Sequence, residues 1–180
     1  VDEAEFNKLL STLKIEETVS GGSIANSDPS ADYPAGVMGL GATIVTNQRQ
    51  ISADDYFKGL FETELQSDEL VTAVKFPIPE RSAYMKFPQP ASRYALVGVF
   101  IAQTSQGVRV GVTGAGSCAF RVREMEEALS DDFSPEAVSK ISIKPDNLNS
   151  DIHGSSEYRA HLVTVMAKRA VKEATNYTKK

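Results

Sequence analysis

The sequence predicts an α+β fold, on three observations. Helical and extended segments succeed one another without the regular alternation that a doubly wound parallel sheet requires. Residues 95–103 and 108–113 are rich in β-branched side chains and are joined by Ser105-Gln106-Gly107, the pattern of an antiparallel hairpin. The C-terminal stretch EYRAHLVTVMAKRAVKEA carries Tyr158, Leu162, Val165 and Met166 at helical spacing, a stripe that would face a core.

Each element has its own local reason. Phe6, Leu9, Leu10 and Leu13 predict a short amphipathic helix over 1–14, and the pair Gly21 and Gly22 then punctuates the chain. Ala35–Leu40 reads as a helix, and Ala42–Thr46 as a strand that turns at Asn47. Ser52 can cap a short helix whose first turn holds Asp54 and Asp55, the sign that suits the positive helix end. Leu70–Phe76 is a strand stopped by Pro77, and the proline-rich PIPERS that follows marks a boundary between two lobes. Tyr84–Phe87 is extended and leads to the hairpin. Arg121–Leu129 reads as a helix, and Ser134-Pro135-Glu136 combines a cap, a first-position proline and an acidic first turn. The last helix starts near Ser155 or Ser156, with Lys168, Arg169 and Lys172 set against its negative end.

Composition narrows the function. The 180 residues are 41% hydrophobic, enough for an ordinary core. Nineteen Lys and Arg against 24 Asp and Glu leave a net charge of −5, so nonspecific attraction to nucleic acid or anionic lipid is not expected. There is no apolar run of the roughly 20 residues that a transmembrane helix needs, and the start VDEAEFNKLL lacks a secretory pattern. A cytoplasmic setting is the expectation. The first residue is Val rather than Met, as in a trimmed or partial chain. One cysteine, Cys118, excludes an internal disulfide framework and a multi-cysteine metal cluster within the sequence.

The stretch SGGSIANSDPSADYP, residues 20–34, holds the most chemistry. Backbone N–H groups at Gly21 and Gly22, with the Ser23 hydroxyl, can cradle a diphosphate without a cationic side chain. Asp28 before Pro29 suits turn initiation, whereas Asp32 is freer to accept from a neutral hydroxyl or N–H of a ligand. The same residues also make ordinary turns, so both readings stand at this level.

Other features have a structural reading. Gly111-Val112-Thr113-Gly114-Ala115-Gly116 lacks dinucleotide-loop spacing and reads as a tight hairpin-to-helix connection. Cys118 reads as a packing residue. His153 and His161 share no metal-ligand motif. Asp131 with Asp132, and Glu126 with Glu127, read as solvated faces. Tyr84 and Tyr94 read as core or hairpin fillers, unless they approach a ligand.

Five segments taken together, the Gly-Gly-Ser to Tyr-Pro stretch, ELVTAVKFPIP (69–79), AYMKF (83–87), ASRYALVGVF (91–100) and SEYRAHLVTVMAKRAV (156–171), resemble the FAD-binding medium subunit of the carbon monoxide dehydrogenase and xanthine dehydrogenase class of molybdenum hydroxylases. The resemblance spans about residues 18–172. It implies a partial two-lobed, PCMH-type-like FAD-binding region over 1–80. A C-terminal lobe over 81–180 would then hold a small antiparallel sheet covered by helices. It also implies an oxidoreductase subunit that takes electrons from 2Fe-2S clusters of a small subunit, holds them on FAD, and passes them to an external acceptor. Hydroxylation would occur at molybdopterin in a large subunit.

Residue by residue, the resemblance assigns Gly21, Gly22 and Ser23 to the diphosphate and Asp32 to the adenosine side. It gives Val71 a main-chain contact to the flavin nucleotide and places Lys86 close to the isoalloxazine, where a cation favours a reduced flavin. It assigns no catalytic residue and no metal ligand. Thr18-Val19-Ser20-Gly21-Gly22 is one residue longer than the family's Thr-Ile/Val-Gly-Gly, so either Ser20 is an insertion or the preceding residues join differently. The family's N-terminal lobe, with its first diphosphate segment, has no counterpart in the sequence. Each lost charge-assisted hydrogen bond costs roughly 1.5–3 kcal/mol, so the expectation is a fragment that is isolated without FAD and inactive alone. The competing expectation is a flavin-free interaction module that docks the other subunits. A third, a flavin reductase of related fold acting on a nucleotide sugar, would need general-acid and sugar-binding residues that the sequence does not offer.

Overall fold

In a computed structural model, residues 21–176 are described. The helix expected over 1–14 and the register before Gly21 lie outside the described residues. The helices are α1 (Gly21–Asn26), α2 (Tyr33–Leu40), α3 (Ala53–Tyr56), α4 (Arg123–Asp131), α5 (Pro135–Ser139) and α6 (Ser156–Asn176). The strands are β1 (Thr43–Thr46), β2 (Gln50–Ser52), β3 (Phe57–Gly59), β4 (Glu62–Thr63), β5 (Val71–Lys75), β6 (Arg81–Pro88), β7 (Ala95–Thr104), β8 (Gly107–Thr113) and β9 (Phe120–Arg121). They form antiparallel sheets in the orders β2-β1-β5, β3-β4 and β6-β7-β8-β9. The expected α+β class is the observed one.

The period of two along β7 and β8 divides the large sheet into two faces. Val97, Val99 and Ile101, with Val108, Val110 and Val112, pack against Met125 and Leu129 of α4, Val138 of α5, and Leu162, Val163 and Met166 of α6. The opposite face carries Tyr84, Phe100 and Ala102 and receives Ala35 and Leu40 of α2. Helix α2 also sends Val37 and Met38 into the core of the small sheet, among Ile44, Ile51 and Val74. Being covered on both sides, it has no polar face, and its residues from Pro34 to Leu40 are all buried.

That position requires bare backbone. Gly111 faces α2, and a β-carbon there would overlap the Ala35 carbonyl oxygen and lie 2.7 Å from the Gly39 nitrogen. At Gly39 a β-carbon would overlap the Phe100 ring. Gly41 ends the helix in the left-handed region at φ 63°, where glycine is unstrained, and donates its N–H to the last turn.

The expected hairpin forms with Gly98 opposite Thr113 and Thr104 opposite Gly107. Ser52 accepts from the Asp54 N–H, and Ser134 from the Ala137 N–H, so both expected caps are made. Several expectations need correction. Arg121 lies in β9, and the helix after it begins at Arg123. Its guanidinium reaches Glu126 with bonds of 2.8 and 2.6 Å, and Glu126 also accepts the Val110 N–H at 3.0 Å, so Glu126 is buried and not on a solvated face. On α6 the buried stripe is offset: Tyr158 is 42% exposed, while Arg159 is 4% exposed. Arg159 earns burial by donating to the Leu96 and Gly114 carbonyls and to Asp151. Lys168, Arg169 and Lys172 do not occupy the last turn, because the helix continues to Asn176.

Between β4 and β5 the chain is held by Glu69. Its carboxylate accepts from Arg49 at 2.7 and 3.0 Å, from the Gln66 N–H at 2.9 Å and from Thr46 at 3.2 Å. The Arg49 hydrogen bond, reinforced by the Gln66 amide, lowers its pKa to about 2.

Two outcomes are expected. Gly111→Ala should cost about 2 kcal/mol, read as a lower denaturant midpoint at unchanged slope, because the atoms it meets are backbone and cannot rotate away. Glu69 should add stability that is fully present above its ordinary value of 4.5 and lost as pH falls toward about 2. Urea midpoints measured across that window should show a shallower fall for Glu69→Gln than for the unsubstituted chain.

Candidate functional site

Ile24 anchors α1: its side chain is fully buried with Val37, Ile44 and Val74. Just before it in the same turn, Gly22 is exposed and Ser23 half-buried. The first N–H groups of a helix have no intrahelical acceptor, and no acidic side chain occupies this turn. Among the described residues, then, no acidic side chain opposes the positive character of this helix end. Helix α1 rests on β5, an edge strand among the described residues, where the half-buried Val71 faces Thr46.

Residues 27–32 then leave α1 and cross to the large sheet. Asp28 makes the expected turn, accepting the Ser30 N–H at 2.9 Å. The Pro29 carbonyl accepts from the Gly114 N–H, and the Thr113 hydroxyl lies within reach of the Pro29 and Ala31 carbonyls. The Ser30 carbonyl accepts from the Ala95 N–H. These bonds deliver Asp32 to the start of α2, over one particular row of the sheet.

On β6, Tyr84 and Lys86 are two residues apart and so share the face toward α2. The Tyr84 hydroxyl donates to Asp32 Oδ1 at 2.5 Å, and Lys86 Nζ donates to Oδ2 at 2.9 Å. The side chains of Lys86 and Asp32 are 9% and 14% exposed. Gly98 lies opposite Lys86 in the ladder, and a β-carbon there would overlap the Tyr84 hydroxyl and come within 2.9 Å of Thr113 Cγ2. The absence of a side chain at Gly98 is the space into which the phenol leans. Asp32 stands at the helix cap position but makes no side-chain capping bond, since its oxygens are directed to Tyr84 and Lys86.

The sequence-level site thus divides into two parts. Gly21, Gly22, Ser23 and Val71 lie on adjoining elements of the small-sheet region, and Asp32 with Lys86 forms an ion pair over the large sheet. The resemblance places Asp32 and Lys86 at opposite ends of FAD. An ion pair of 2.9 Å lets an extended dinucleotide meet both groups only at one segment, because its diphosphate and sugars separate the two ends. Tyr84 is the buried core residue expected, but the pairing of its hydroxyl with Asp32 and the vacancy at Gly98 were not legible in the sequence. The readable signal was the Tyr84-Met85-Lys86 spacing, which fixes a common face once 81–88 is a strand.

The other candidates stay structural. Gly114, at φ 80°, turns the chain beneath the Ala95 and Leu96 carbonyls. Cys118 is half-buried, and burial pushes its thiol up. Tyr94 is 55% exposed, unlike a hairpin filler. Burial pushes the Tyr56 hydroxyl up to about 12, against a smaller opposing effect of the Thr63 side chain. Among the described residues no group of His, Cys, Asp and Glu could hold a metal ion, and no helix is long and apolar enough to cross a membrane.

The family described as the FAD binding domain in molybdopterin dehydrogenase matches residues 17–79, and the CO dehydrogenase flavoprotein C-terminal domain matches residues 82–174. The glyceraldehyde dehydrogenase medium chain of Sulfolobus acidocaldarius is 34% identical over 169 residues, covering 85% of this chain and 60% of that protein. The carbon monoxide dehydrogenase medium chain of Afipia carboxidovorans is 29% identical over 170 residues, covering 86% and 59%. Among solved structures, reconstituted CO dehydrogenase from Oligotropha carboxidovorans superposes with a TM-score of 0.75 at 27% identity, covering 87% of this chain and 60% of the other. Quinoline 2-oxidoreductase from Pseudomonas putida 86 gives 0.71 at 26%, with the same coverage. The chain spans about 60% of the length of the curated relatives it matches.

Removing either partner of the Asp32–Lys86 pair should leave a nearly buried charge with one polar neighbour fewer. A double-mutant cycle of Asp32→Asn and Lys86→Met, followed by chemical denaturation, should return a coupling of about 2 kcal/mol.

Proposed function

This chain belongs to the family of FAD-binding medium subunits of the molybdenum hydroxylases, and on that premise we propose that it is the flavin-binding, electron-relaying part of such an enzyme. The observation that carries the proposal is the first turn of α1, with its exposed Gly22 and no acidic side chain. That donor set fits a diphosphate. Gly21, Gly22 and Ser23 would hold the diphosphate through main-chain N–H groups, and Val71 would meet the nucleotide through its main chain on β5. Asp32 and Lys86 would together meet one uncharged, hydrogen-bonding segment of FAD, since their charges already balance. When bound, FAD would supply the electron storage, while this chain binds, orients and shields it.

In the proposed assembly, residues 1–80 are the C-terminal part of the FAD-binding domain and 81–180 the C-terminal lobe. Electrons enter from the 2Fe-2S clusters of a small subunit and leave to an external acceptor, and substrate is hydroxylated at molybdopterin in a large subunit. The names of the relatives mention glyceraldehyde, nicotine, carbon monoxide and caffeine, which fits a substrate chosen outside this chain. We propose further that the 180 residues are a fragment, inactive alone and holding FAD weakly or not at all. The shared length of about 60% supports this, and it equally favours the second reading, a flavin-free module that docks the other subunits.

FAD titration monitored by flavin fluorescence separates these readings. A chain extended to the relatives' full length should bind FAD, the 180-residue chain at least tenfold more weakly, and Gly22→Val in the extended chain about tenfold more weakly than its parent. An extended chain that remains colourless after reconstitution would favour the docking module. Intact mass compared with the encoded reading frame tests the fragment proposal.

A further inference from the structure

We infer that Tyr84 is a positioning residue, whose hydroxyl fixes the plane of the Asp32 carboxylate and, through it, the Lys86 ammonium, for contact with an uncharged hydroxyl- or imide-bearing segment of a ligand. The identity of that ligand rests on the flavin reading above. Tyr84 is fully buried, lies opposite Phe100 in the ladder, and has its hydroxyl over the bare backbone of Gly98. Its ring is therefore held by packing, and two side-chain torsions leave its hydroxyl little freedom. Lys86, on a flexible four-carbon stem, brings charge to the same carboxylate but little direction of its own.

The two donors take different oxygens of Asp32, one each. A carboxylate has about four acceptor sites, so these two donors do not exhaust it, and the Asp32 side chain keeps 14% exposure. Because Asp32 and Lys86 cancel in charge, an uncharged donor can approach without burying a net charge. A phosphate would instead meet the carboxylate. Tyr84 thus belongs with Asp32 and Lys86 in one unit, and Gly98 is the position that admits it.

The test is Tyr84→Phe, which keeps the ring and removes the donor. In the 15N-lysine-labelled 180-residue chain, the Lys86 ammonium signal should be visible, because a maintained hydrogen bond slows its proton exchange. It should broaden away in Tyr84→Phe. In the extended chain the same substitution should weaken FAD binding about tenfold. A folded Tyr84→Phe protein whose Lys86 signal is unchanged overturns the inference. If the signal broadens but no chain binds FAD, the positioning role stands and the flavin reading falls. Should Tyr84→Phe fail to fold, the 13Cζ resonance of Tyr84 in Asp32→Asn decides: a shift, as the acceptor loses its charge, supports the role, and an unmoved resonance overturns it.

Discussion

The close approach of α2 to the large sheet is the constraint on which the rest depends. Here an apolar helix lies between two sheets with its backbone close to one of them, and Gly39 and Gly111 remove the atoms that would prevent that approach. Glycine is unfavourable in a helix interior by about 1 kcal/mol relative to alanine. Burial of Val37 and Met38 on one side, and of Ala35 and Leu40 on the other, offsets that cost. Around the helix, polar ties fix its direction. Arg109 donates to the Met38 carbonyl at 2.9 Å and pairs with Asp54, which also accepts from Arg121 at 2.9 Å.

The candidate site inherits this arrangement. Since α2 is fixed against β7 and β8, the residue at its cap position is fixed too, and Asp32 arrives over the row made by Lys86, Gly98 and Thr113. The turn before it is bonded to the same sheet through Thr113, Gly114 and Ala95. A carboxylate on a free loop would pair with Lys86 only part of the time. Here the backbone holds it in place, and the ion pair is a consequence of the packing rather than its cause.

Much of the fold was legible from local chemistry. The Ser52 and Ser134 caps, the 95–113 hairpin and the Asp28-Pro29 turn each depend on residues a few positions apart, where sequence spacing is spatial proximity. The misreadings occurred where a distant partner changed a residue's surroundings. Glu126 is buried because the Val110 N–H and Arg121 come to it, and Arg159 is buried because two main-chain carbonyls of the sheet accept from it. A short strand, β9, claimed Arg121 through its ladder with β8.

For the site, the sequence by itself determined the parts: two glycines and a serine able to cradle an anion, an acid a few residues before the helix expected over 35–40, and a lysine in an extended segment. Residue type and near-neighbour spacing suffice for these, because capping, turns and strand faces are local properties. The tertiary structure alone decided that Asp32 and Lys86, 54 positions apart, form one pair and that Tyr84 completes it over Gly98. Such a meeting depends on how two sheets enclose a helix, a sum of many weak packing contacts that no short window of sequence contains.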